Sequence, residues 1–252
     1  MKQITVRGLS IGEGIPKICV SLMGKSPEEL NRGARELAVS GADLAEWRVD
    51  WFTEWNDASR IVEALRQIRT GLGEMPLLVT FRTKGEGGEA DITEEQYHCL
   101  YETVINSGYA DLIDLELFFG DAVTEKLISL AAKRGVKTVI SNHDFTKTPQ
   151  KEELIQRLKE MERRGADIAK IAVMPQSAFD VAAVLEATAV ASSELSCPVI
   201  TMAMGGKGVI SRMAGQIFGS AVTFAALGKA SAPGQVPLDQ LKEVLELVDS
   251  LQ

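Results

Sequence analysis

Short apolar runs alternate with longer amphipathic segments along the chain, and this alternation limits the fold more than any other feature. Eight runs are interpreted as strands: residues 18–23, 44–49, 77–82, 112–117, 138–142, 168–173, 199–204 and 221–225. Between them, apolar residues recur at helical spacing, as in EELNRGARELAVS after Pro27. Gly135 and Gly165 each follow such a segment and are typical helix stops. The pattern predicts strand–helix units in series and a parallel sheet covered by helices.

The length of the repeat and of the chain favours one architecture. Successive strands start about 20–35 residues apart, which is the size of a βα unit, and the chain has 252 residues. We therefore predict an α/β fold, a (β/α)8 TIM barrel, as a single domain over residues 1–252. ITVRGLSIGEG, residues 4–14, is interpreted as a short N-terminal β-hairpin closing the barrel floor. An open doubly wound sheet is the alternative, but no Gly-rich dinucleotide motif follows the first strand.

Composition argues against several classes of function. A net charge of −8 and a pI near 5.0 disfavour a surface for nucleic acid or anionic lipid. No run approaches about 18 apolar residues, and the first residues show no secretory signal, so we expect a cytoplasmic protein without a membrane segment. Cys19, Cys99 and Cys197 are odd in number and far apart, which predicts reduced, mostly buried thiols.

Polar residues stand at unusual places in this pattern. In a barrel of this kind, functional side chains gather at the carboxyl ends of the strands and in the loops that follow. Ionisable residues recur at or near these positions on consecutive strands: Glu46, Arg48, Arg82, Glu86, Asp114, Glu116 and His143. Residues two apart on a strand share one face. The repeated placement predicts a single polar site rather than scattered surface charge.

Lys170, inside the apolar run ADIAKIAVMP, is the most informative residue. A buried ammonium is costly unless it is paired, and a lysine in such a place is a typical nucleophile toward carbonyl groups. The small Ala172, two residues on, leaves room on the same face. The alternative is a structural ion pair with Glu46, Asp114 or Glu116.

His143 suits proton transfer, because imidazole gains and loses a proton near neutral pH. Beside a Schiff base it could remove the proton α to the iminium carbon, and a carboxylate such as Glu86 could orient it. The alternative is a capping or hydrogen-bonding loop histidine, and the residue by itself leaves both open. His98, within EEQYHCLYE, is interpreted as a helix-surface or interface residue. No set of residues has metal-ligand spacing, so we expect no metal site.

Arg48, Arg82 and Arg212 could each hold a carboxylate through paired hydrogen bonds. The alternative for each is a structural ion pair, most readily between Arg48 and Glu46. Arg212 follows GGKGVIS, a loop that we expect to open a helix. The small and polar SAPGQ, residues 231–235, is typical of a mobile lid over about residues 227–236, or equally of a surface loop.

The sequence resembles the type I 3-dehydroquinate dehydratase family over nearly its whole length. The motifs that carry the resemblance are EWRVD (46–50), TFRTKGEGGE (80–89), SNHDF (141–145), AKIAVMPQ (169–176), GVISRMAGQIFGSAVTF (208–224) and ASAPGQ (230–235). The resemblance implies a homodimeric (β/α)8 barrel. It also implies a hydro-lyase that converts 3-dehydroquinate to 3-dehydroshikimate without metal or organic cofactor. This reaction belongs to the shikimate pathway, which leads through chorismate to the aromatic amino acids.

The resemblance further implies roles for individual residues. Lys170 would form an imine with the C3 ketone of the substrate, His143 would be the general acid and base, and Glu86 would position or polarise His143. Arg212 would bind the substrate carboxylate. The other residues would hold hydroxyl groups or line the pocket: Glu46, Arg48, Arg82, Ser231 and Gln235 for the first role, and Ser21, Met204 and Phe224 for the second.

Two other functions fit parts of the sequence. A Schiff-base aldolase acting on a sugar phosphate would also use Lys170, although GGKG (205–208) is the one Gly-rich stretch that could cradle a phosphate. A catalytically silent metabolite-binding barrel would not need Glu86, His143 and Lys170 together. Stepwise elimination through an imine is therefore the preferred hypothesis.

Overall fold

The computed structural model describes residues 2–228 and 230–251, which form two compact units. The first unit comprises residues 20–139, and the second comprises residues 2–19, 140–228 and 230–251. Among these described residues, no helix is both long and apolar enough to cross a lipid bilayer.

Strands and helices alternate along the chain as predicted. In chain order the elements are β1 (Ile4–Val6), β2 (Leu9–Ile11), β3 (Lys17–Leu22), α1 (Pro27–Ala38), β4 (Leu44–Arg48), α2 (Ala58–Leu72), β5 (Leu77–Thr80), α3 (Glu94–Ser107), β6 (Leu112–Glu116), α4 (Asp121–Arg134), β7 (Lys137–Asp144), α5 (Lys151–Arg163), β8 (Ile168–Val173), α6 (Ala178–Glu194), β9 (Val199–Ala203), α7 (Ile210–Met213), α8 (Gly215–Phe218), β10 (Val222–Ala226), β11 (Val236–Pro237) and α9 (Leu238–Asp249). Single 3-10 turns cover Val49–Trp51, Lys84–Glu86 and Gly206–Gly208.

In the first unit, the end of β3 (residues 20–22) is followed by β4, β5 and β6, and the strands are neighbours in that order. β5 is parallel to both β4 and β6, and every residue of β4, β5 and β6 is buried, as expected for strands covered on both faces. The register places Arg48 opposite Thr80 and Thr80 opposite Asp114. The carboxyl ends of these strands therefore lie side by side, where the polar residues were predicted.

In the second unit, β7, β8 and β9 follow one another, and β8 is parallel to β9 with Lys170 opposite Ile200. β10 is parallel to β11, and an isolated bridge joins Val199 to Ser220 just before β10. The parallel strands of both units agree with the predicted α/β class.

The predicted N-terminal hairpin is present. β1 and β2 pair antiparallel, and the turn between them consists of Arg7 and Gly8, both with positive φ, as in the turns that match the twist of a hairpin. Gly12 then approaches Pro198, the residue before β9. The hairpin segment thus lies at the amino end of a strand, away from the carboxyl ends.

Element boundaries differ from the sequence prediction in two places that affect the site. β5 ends at Thr80, two residues early, so Arg82 belongs to the following loop. β7 continues to Asp144, so His143 lies within the strand rather than beyond its tip. β8 has the predicted bounds, and Lys170 is its third residue. The single-domain assignment over residues 1–252 stays a prediction.

None of the three cysteines forms a disulfide, and the expected burial is only partly correct. Cys19 is buried and Cys197 is half-buried, whereas Cys99 is exposed. Cys99 lies in α3 between Tyr97 and Tyr101, whose buried side chains face the interior and leave Cys99 on the outer side of the helix. His98, on the same helix, is partly exposed near Glu102, which agrees with its assignment to a helix surface.

The loop that carries Glu86 is closed at its neck. Thr83 and Ala90 form a bridge, and the Gly88 N–H donates a hydrogen bond of 2.8 Å to the Thr83 carbonyl. A Cβ on Gly88 would lie 1.8 Å from the Arg82 carbonyl oxygen, so no larger residue fits there without moving the backbone. This closure holds Glu86 in one place.

We expect Gly88→Ala to open this neck and to lower the free energy of unfolding by about 1–3 kcal/mol, the usual cost of overpacking. Chemical denaturation measures the change. Gly85→Ala in the same loop is the matched control, because its Cβ would meet nothing closer than the Thr83 hydroxyl at 3.6 Å. Equal stability of the two variants would show that the neck does not constrain the loop.

Candidate active site

Arg82 is the centre of a charged cluster in the first unit. Its Nη1 donates to Glu116 Oε1 at 2.8 Å and to Glu86 Oε2 at 3.4 Å, and its Nη2 donates to Asp114 Oδ1 at 2.8 Å. All four side chains are buried. Burial works against the charge of Arg82, but the carboxylates of Asp114, Glu116 and Glu86 outweigh it and hold the arginine pKa well above its ordinary value.

The cluster continues into the start of the closed loop. Thr83 donates to Glu116 twice, from its N–H to Oε1 at 2.9 Å and from its hydroxyl to Oε2 at 2.7 Å. The hydroxyl of Tyr97 accepts from the Glu116 N–H at 3.1 Å. Glu116 therefore has defined donors on both oxygens, as a buried carboxylate requires.

Arg48 pairs with Asp50, not with Glu46 as the sequence suggested. Its Nε and Nη2 donate to the two carboxylate oxygens of Asp50 at 2.9 and 2.8 Å. Burial by itself would lower the Arg48 pKa, but the hydrogen-bonded Asp50 carboxylate raises it by more. The Arg48 pKa therefore lies above its ordinary value. The reason is local geometry: the 3-10 turn Val49–Trp51 directly after β4 brings the Asp50 carboxylate back to the guanidinium.

Glu46 instead binds hydroxyl groups from the neighbouring strands. Ser21 Oγ donates to its Oε2 at 2.6 Å, and Thr80 Oγ1 donates to its Oε1 at 2.9 Å. Thr80 is completely buried and Ser21 is half-buried. The two hydroxyls fix the orientation of the Glu46 carboxylate on one face of β4.

Lys170 is buried in the second unit, as predicted, with 3% of its surface exposed. Its Nζ lies 4.7 Å from the centroid of the Phe224 ring, a cation–π geometry. Ala172 follows on the same face of β8, opposite Met202 of β9. The structure therefore brings together the predicted nucleophile and the predicted pocket-lining Phe224.

His143 occupies the seventh position of β7 and is half-buried. The next residue, Asp144, accepts at its Oδ1 from the N–H groups of Thr146 and Lys147 at 2.9 and 3.0 Å. Asp144 thereby turns the chain after the strand. The roles considered for His143 stay predictions.

Arg212 is buried to 1% exposure and has no carboxylate partner in the described part of the chain. Its Nη2 donates to the Pro233 carbonyl at 3.1 Å, its Nη1 lies 3.6 Å from Met202 Sδ, and its Nε has no hydrogen-bond partner. Desolvation lowers the Arg212 pKa to about 10. Arg212 lies in the short helix α7, so the expected loop does lead into a helix.

The segment predicted to be a lid contacts Arg212 through its backbone. Besides the bond from Arg212, the Pro233 carbonyl accepts from the Gly205 N–H at 3.1 Å. The side chains of Ser231 and Gln235 bond each other at 2.9 Å. Lys229, within the predicted lid, lies outside the described residues. Mobility of this segment stays a prediction.

The site residues predicted from the sequence are held by different contacts in the two units. In the first unit, Ser21 bonds Glu46, and Arg82 bonds Glu86, while Arg48 is held by Asp50. Met204 in the second unit is buried, and its N–H donates to the Val173 carbonyl at 2.7 Å, while the Met202 sulfur lies 3.6 Å from Arg212 Nη1.

Sequence reasoning missed three residues that hydrogen-bond to the predicted polar side chains of the first unit: Asp50, Thr80 and Thr83. The signal for Asp50 was available, since it is an acidic residue directly after a buried strand that ends in arginine. Thr80 and Thr83 gave no comparable signal, because threonine is common in strands.

Comparison with known proteins identifies relatives across the whole chain. The family model described as type I 3-dehydroquinase matches residues 18–252. The chain is 49% identical over 248 residues to a 3-dehydroquinate dehydratase of Listeria monocytogenes and 46% identical over 248 residues to that of Bacillus licheniformis. Each match covers 98% of this chain and 98% of the relative.

Solved structures agree in fold as well as in sequence. The type I 3-dehydroquinate dehydratase of Clostridium difficile, solved with covalent modified comenic acid, matches with a TM-score of 0.97 and 46% identity over 100% of both chains. The 3-dehydroquinate dehydratase of Geobacillus kaustophilus matches with a TM-score of 0.96 and 42% identity, covering 99% of this chain and 97% of its own. These matches confirm the predicted fold class, and the chain belongs to the type I 3-dehydroquinase family.

Proposed function

We propose that this chain is a hydro-lyase that eliminates water from 3-dehydroquinate to give 3-dehydroshikimate through an imine on Lys170. The reaction is that of the family, whose relatives are named 3-dehydroquinate dehydratase. It is a step of the shikimate pathway, which leads to chorismate and the aromatic amino acids. The observation that carries the assignment to individual residues is the buried guanidinium of Arg212.

Arg212 is the arginine suited to the substrate carboxylate. Arg48 and Arg82 are already bound by carboxylates of the protein, whereas Arg212 is buried with a carbonyl oxygen as its one oxygen acceptor in the described part of the chain. A buried cation without a counter-ion is unfavourable. An incoming carboxylate supplies the missing charge and can bond two guanidinium nitrogens at once.

Lys170 is the nucleophile in this scheme. Its amine, once deprotonated, adds to the C3 ketone, and loss of one water molecule gives an imine. The Phe224 ring, which faces Nζ in the structure, favours positive charge at that nitrogen and therefore the protonated imine. The protonated imine is an electron sink for the carbon beside it.

His143 moves the protons. It removes one proton from C2, and the electron pair forms an enamine with the imine carbon and nitrogen. The enamine then expels the hydroxyl group from C1, which leaves as water after taking the proton from His143. Hydrolysis of the imine consumes the water lost when it formed and releases product and Lys170. One water molecule is produced overall.

The remaining residues hold and orient the substrate in this proposal. Glu86 assists His143, and the hydroxyl groups of the substrate bind Glu46, Arg48, Arg82, Ser231 and Gln235. Ser21, Met204 and Phe224 line the pocket. Support comes from the hydrogen bonds that already fix several of these side chains in defined orientations, including Glu46 by two hydroxyls and Gln235 by Ser231.

The aldolase alternative has little support from the structure. A phosphate cradle at GGKG would need its backbone N–H groups to be available. The Gly205 N–H donates to Pro233, and the Gly208 N–H donates to the Gly205 carbonyl at 3.2 Å. Two of the four amides are therefore already used within the protein.

The proposal also covers the oligomeric state of the protein and its location in the cell. We expect a homodimer, which follows from the family resemblance, and a cytoplasmic location, consistent with an enzyme of biosynthesis. Sedimentation velocity of the purified chain tests the first expectation.

The imine predicts a covalent adduct that borohydride traps. With 3-dehydroquinate and borohydride, mass spectrometry should find the reduced adduct on Lys170 and on no other lysine. Lys170→Ala should lose the adduct and about four orders of magnitude of turnover or more. His143→Ala should still form the adduct but stall afterwards, because imine formation survives while C2 deprotonation does not.

The control for this experiment is Lys147→Ala, which removes an exposed lysine of the same unit. It should keep both adduct and turnover. An adduct that survives in Lys170→Ala, or near-normal turnover in His143→Ala, would show that the roles are assigned to the wrong residues.

Removal of the two buried arginines should change stability in opposite directions. Arg212→Leu should raise the free energy of unfolding by about 1–3 kcal/mol, because it removes an uncompensated buried charge. Arg82→Leu should lower it by about 3–5 kcal/mol, because it leaves three buried carboxylates without their cation. Chemical denaturation of the substrate-free proteins measures both.

The same Arg212→Leu variant should bind substrate poorly, with KM raised about 100-fold or more by loss of the carboxylate contact. Wild-type protein should gain thermal stability from 3-dehydroshikimate, and the variant should gain none. A variant that is both less stable and equally stabilised by this ligand would contradict the role of Arg212.

A further inference from the structure

Asp50 has no role in the proposed reaction, yet it is one of the best-bonded side chains of the first unit. The side chain is 0% exposed. Oδ1 accepts from Arg48 Nε at 2.9 Å and from the Arg82 N–H at 3.3 Å, while Oδ2 accepts from Arg48 Nη2 at 2.8 Å and from the Glu89 N–H at 3.1 Å. Four donors from two separate chain segments converge on one carboxylate.

The two bonds from Arg48 determine where its guanidinium points. With Nε and Nη2 both bound to Asp50, the plane of the group is fixed. The third nitrogen, Nη1, makes no hydrogen bond to the part of the chain that the structure describes, and it remains for a substrate hydroxyl. A guanidinium free to rotate would present this nitrogen in the required place only part of the time.

The two backbone bonds act on the loop. Arg82 and Glu89 stand at its two ends, and Glu86 lies between them. The bridge between Thr83 and Ala90 closes the neck from one side, and the Asp50 carboxylate joins both ends from another. The position of Glu86 therefore depends on the same carboxylate as the orientation of Arg48.

We propose that Asp50 is a positioning residue that sets Arg48 and the Glu86 loop together for catalysis. The inference rests on the proposed function of Arg48 and Glu86. A purely structural ion pair would need one arginine and one carboxylate, but Asp50 also receives two N–H groups from the loop that carries a catalytic side chain. Its effect on the reaction is exerted through these groups and not by contact with substrate.

Asp111 provides a matched comparison within the same unit. Its Oδ2 accepts from Arg69 Nη2 at 2.6 Å and from the Leu77 N–H at 2.9 Å, so it too binds an arginine and a backbone N–H. Asp111 lies just before β6 and Leu77 begins β5, at the amino ends of the strands. The chemistry is the same, while the place is away from the predicted reaction.

The test compares Asp50→Asn with Asp111→Asn in steady-state kinetics. In Asp50→Asn, either orientation of the amide places an NH2 group against two donors. We expect kcat/KM to fall about 100-fold, the scale of a misplacement of about 1 Å, with both a lower kcat and a higher KM. Asp111→Asn should leave kcat and KM within about threefold of wild type, whatever its effect on stability.

Asp50→Glu keeps the charge, so it serves if Asp50→Asn does not fold. It should lose about tenfold in kcat/KM, because one extra methylene displaces the carboxylate. A double-mutant cycle with Arg48→Ala separates the effect of Asp50 through Arg48 from its effect through the loop. The loss of kcat/KM from Asp50→Asn should be smaller in the Arg48→Ala background, and the loss that remains there measures the effect through the loop. Coupling between the two changes supports the inference.

Two results would overturn the inference. One is equal kinetic loss in the Asp50 and Asp111 variants, which would mean that general destabilisation explains both. The other is wild-type kinetics in a folded Asp50→Asn or Asp50→Glu protein. Failure of the proposed function itself would look different, since wild-type protein would then fail to dehydrate 3-dehydroquinate.

Discussion

Three carboxylates, from Asp114, Glu116 and Glu86, surround the one guanidinium of Arg82 in the interior of the first unit. None of these charges is stable there without the others, because each has lost most of its hydration. The arrangement joins β6 to the loop after β5, and so it fixes the ends of two strands and the start of the loop that carries Glu86. An apolar cluster of the same volume could be as stable, but it would not orient Glu86.

Arg212 is also a buried cation, but its surroundings differ from those of Arg82. The protein supplies no carboxylate to it in the described residues, and this uncompensated buried charge lowers the stability of the fold. Such a site favours any ligand that brings an anion. Arg82 is bound by three carboxylates of the protein, whereas Arg212 has one carbonyl and the Met202 sulfur, and this contrast is why we propose Arg212 for the substrate carboxylate.

The sequence predicted most of the fold, because buried parallel strands are continuous apolar runs and are readily located. Lys170 was found for the same reason, as the charged residue that interrupts such a run. The alternative considered for Arg48, an ion pair with Glu46, named the wrong partner. The two-residue period of a strand placed Glu46 on its face, but the chain leaves the strand at Val49 and a 3-10 turn brings Asp50 closer. Periodicity cannot describe side-chain directions beyond the end of a strand.

The Phe224 ring lies 4.7 Å from the nitrogen of Lys170. A ring face attracts positive charge through its quadrupole and does not require a proton to point at it. A hydrogen-bond acceptor binds an ammonium through its hydrogen atoms, and fewer of these are left once the nitrogen carries a carbon. In the proposed cycle the nitrogen changes its substituents several times, while the aromatic contact can persist through every cationic form.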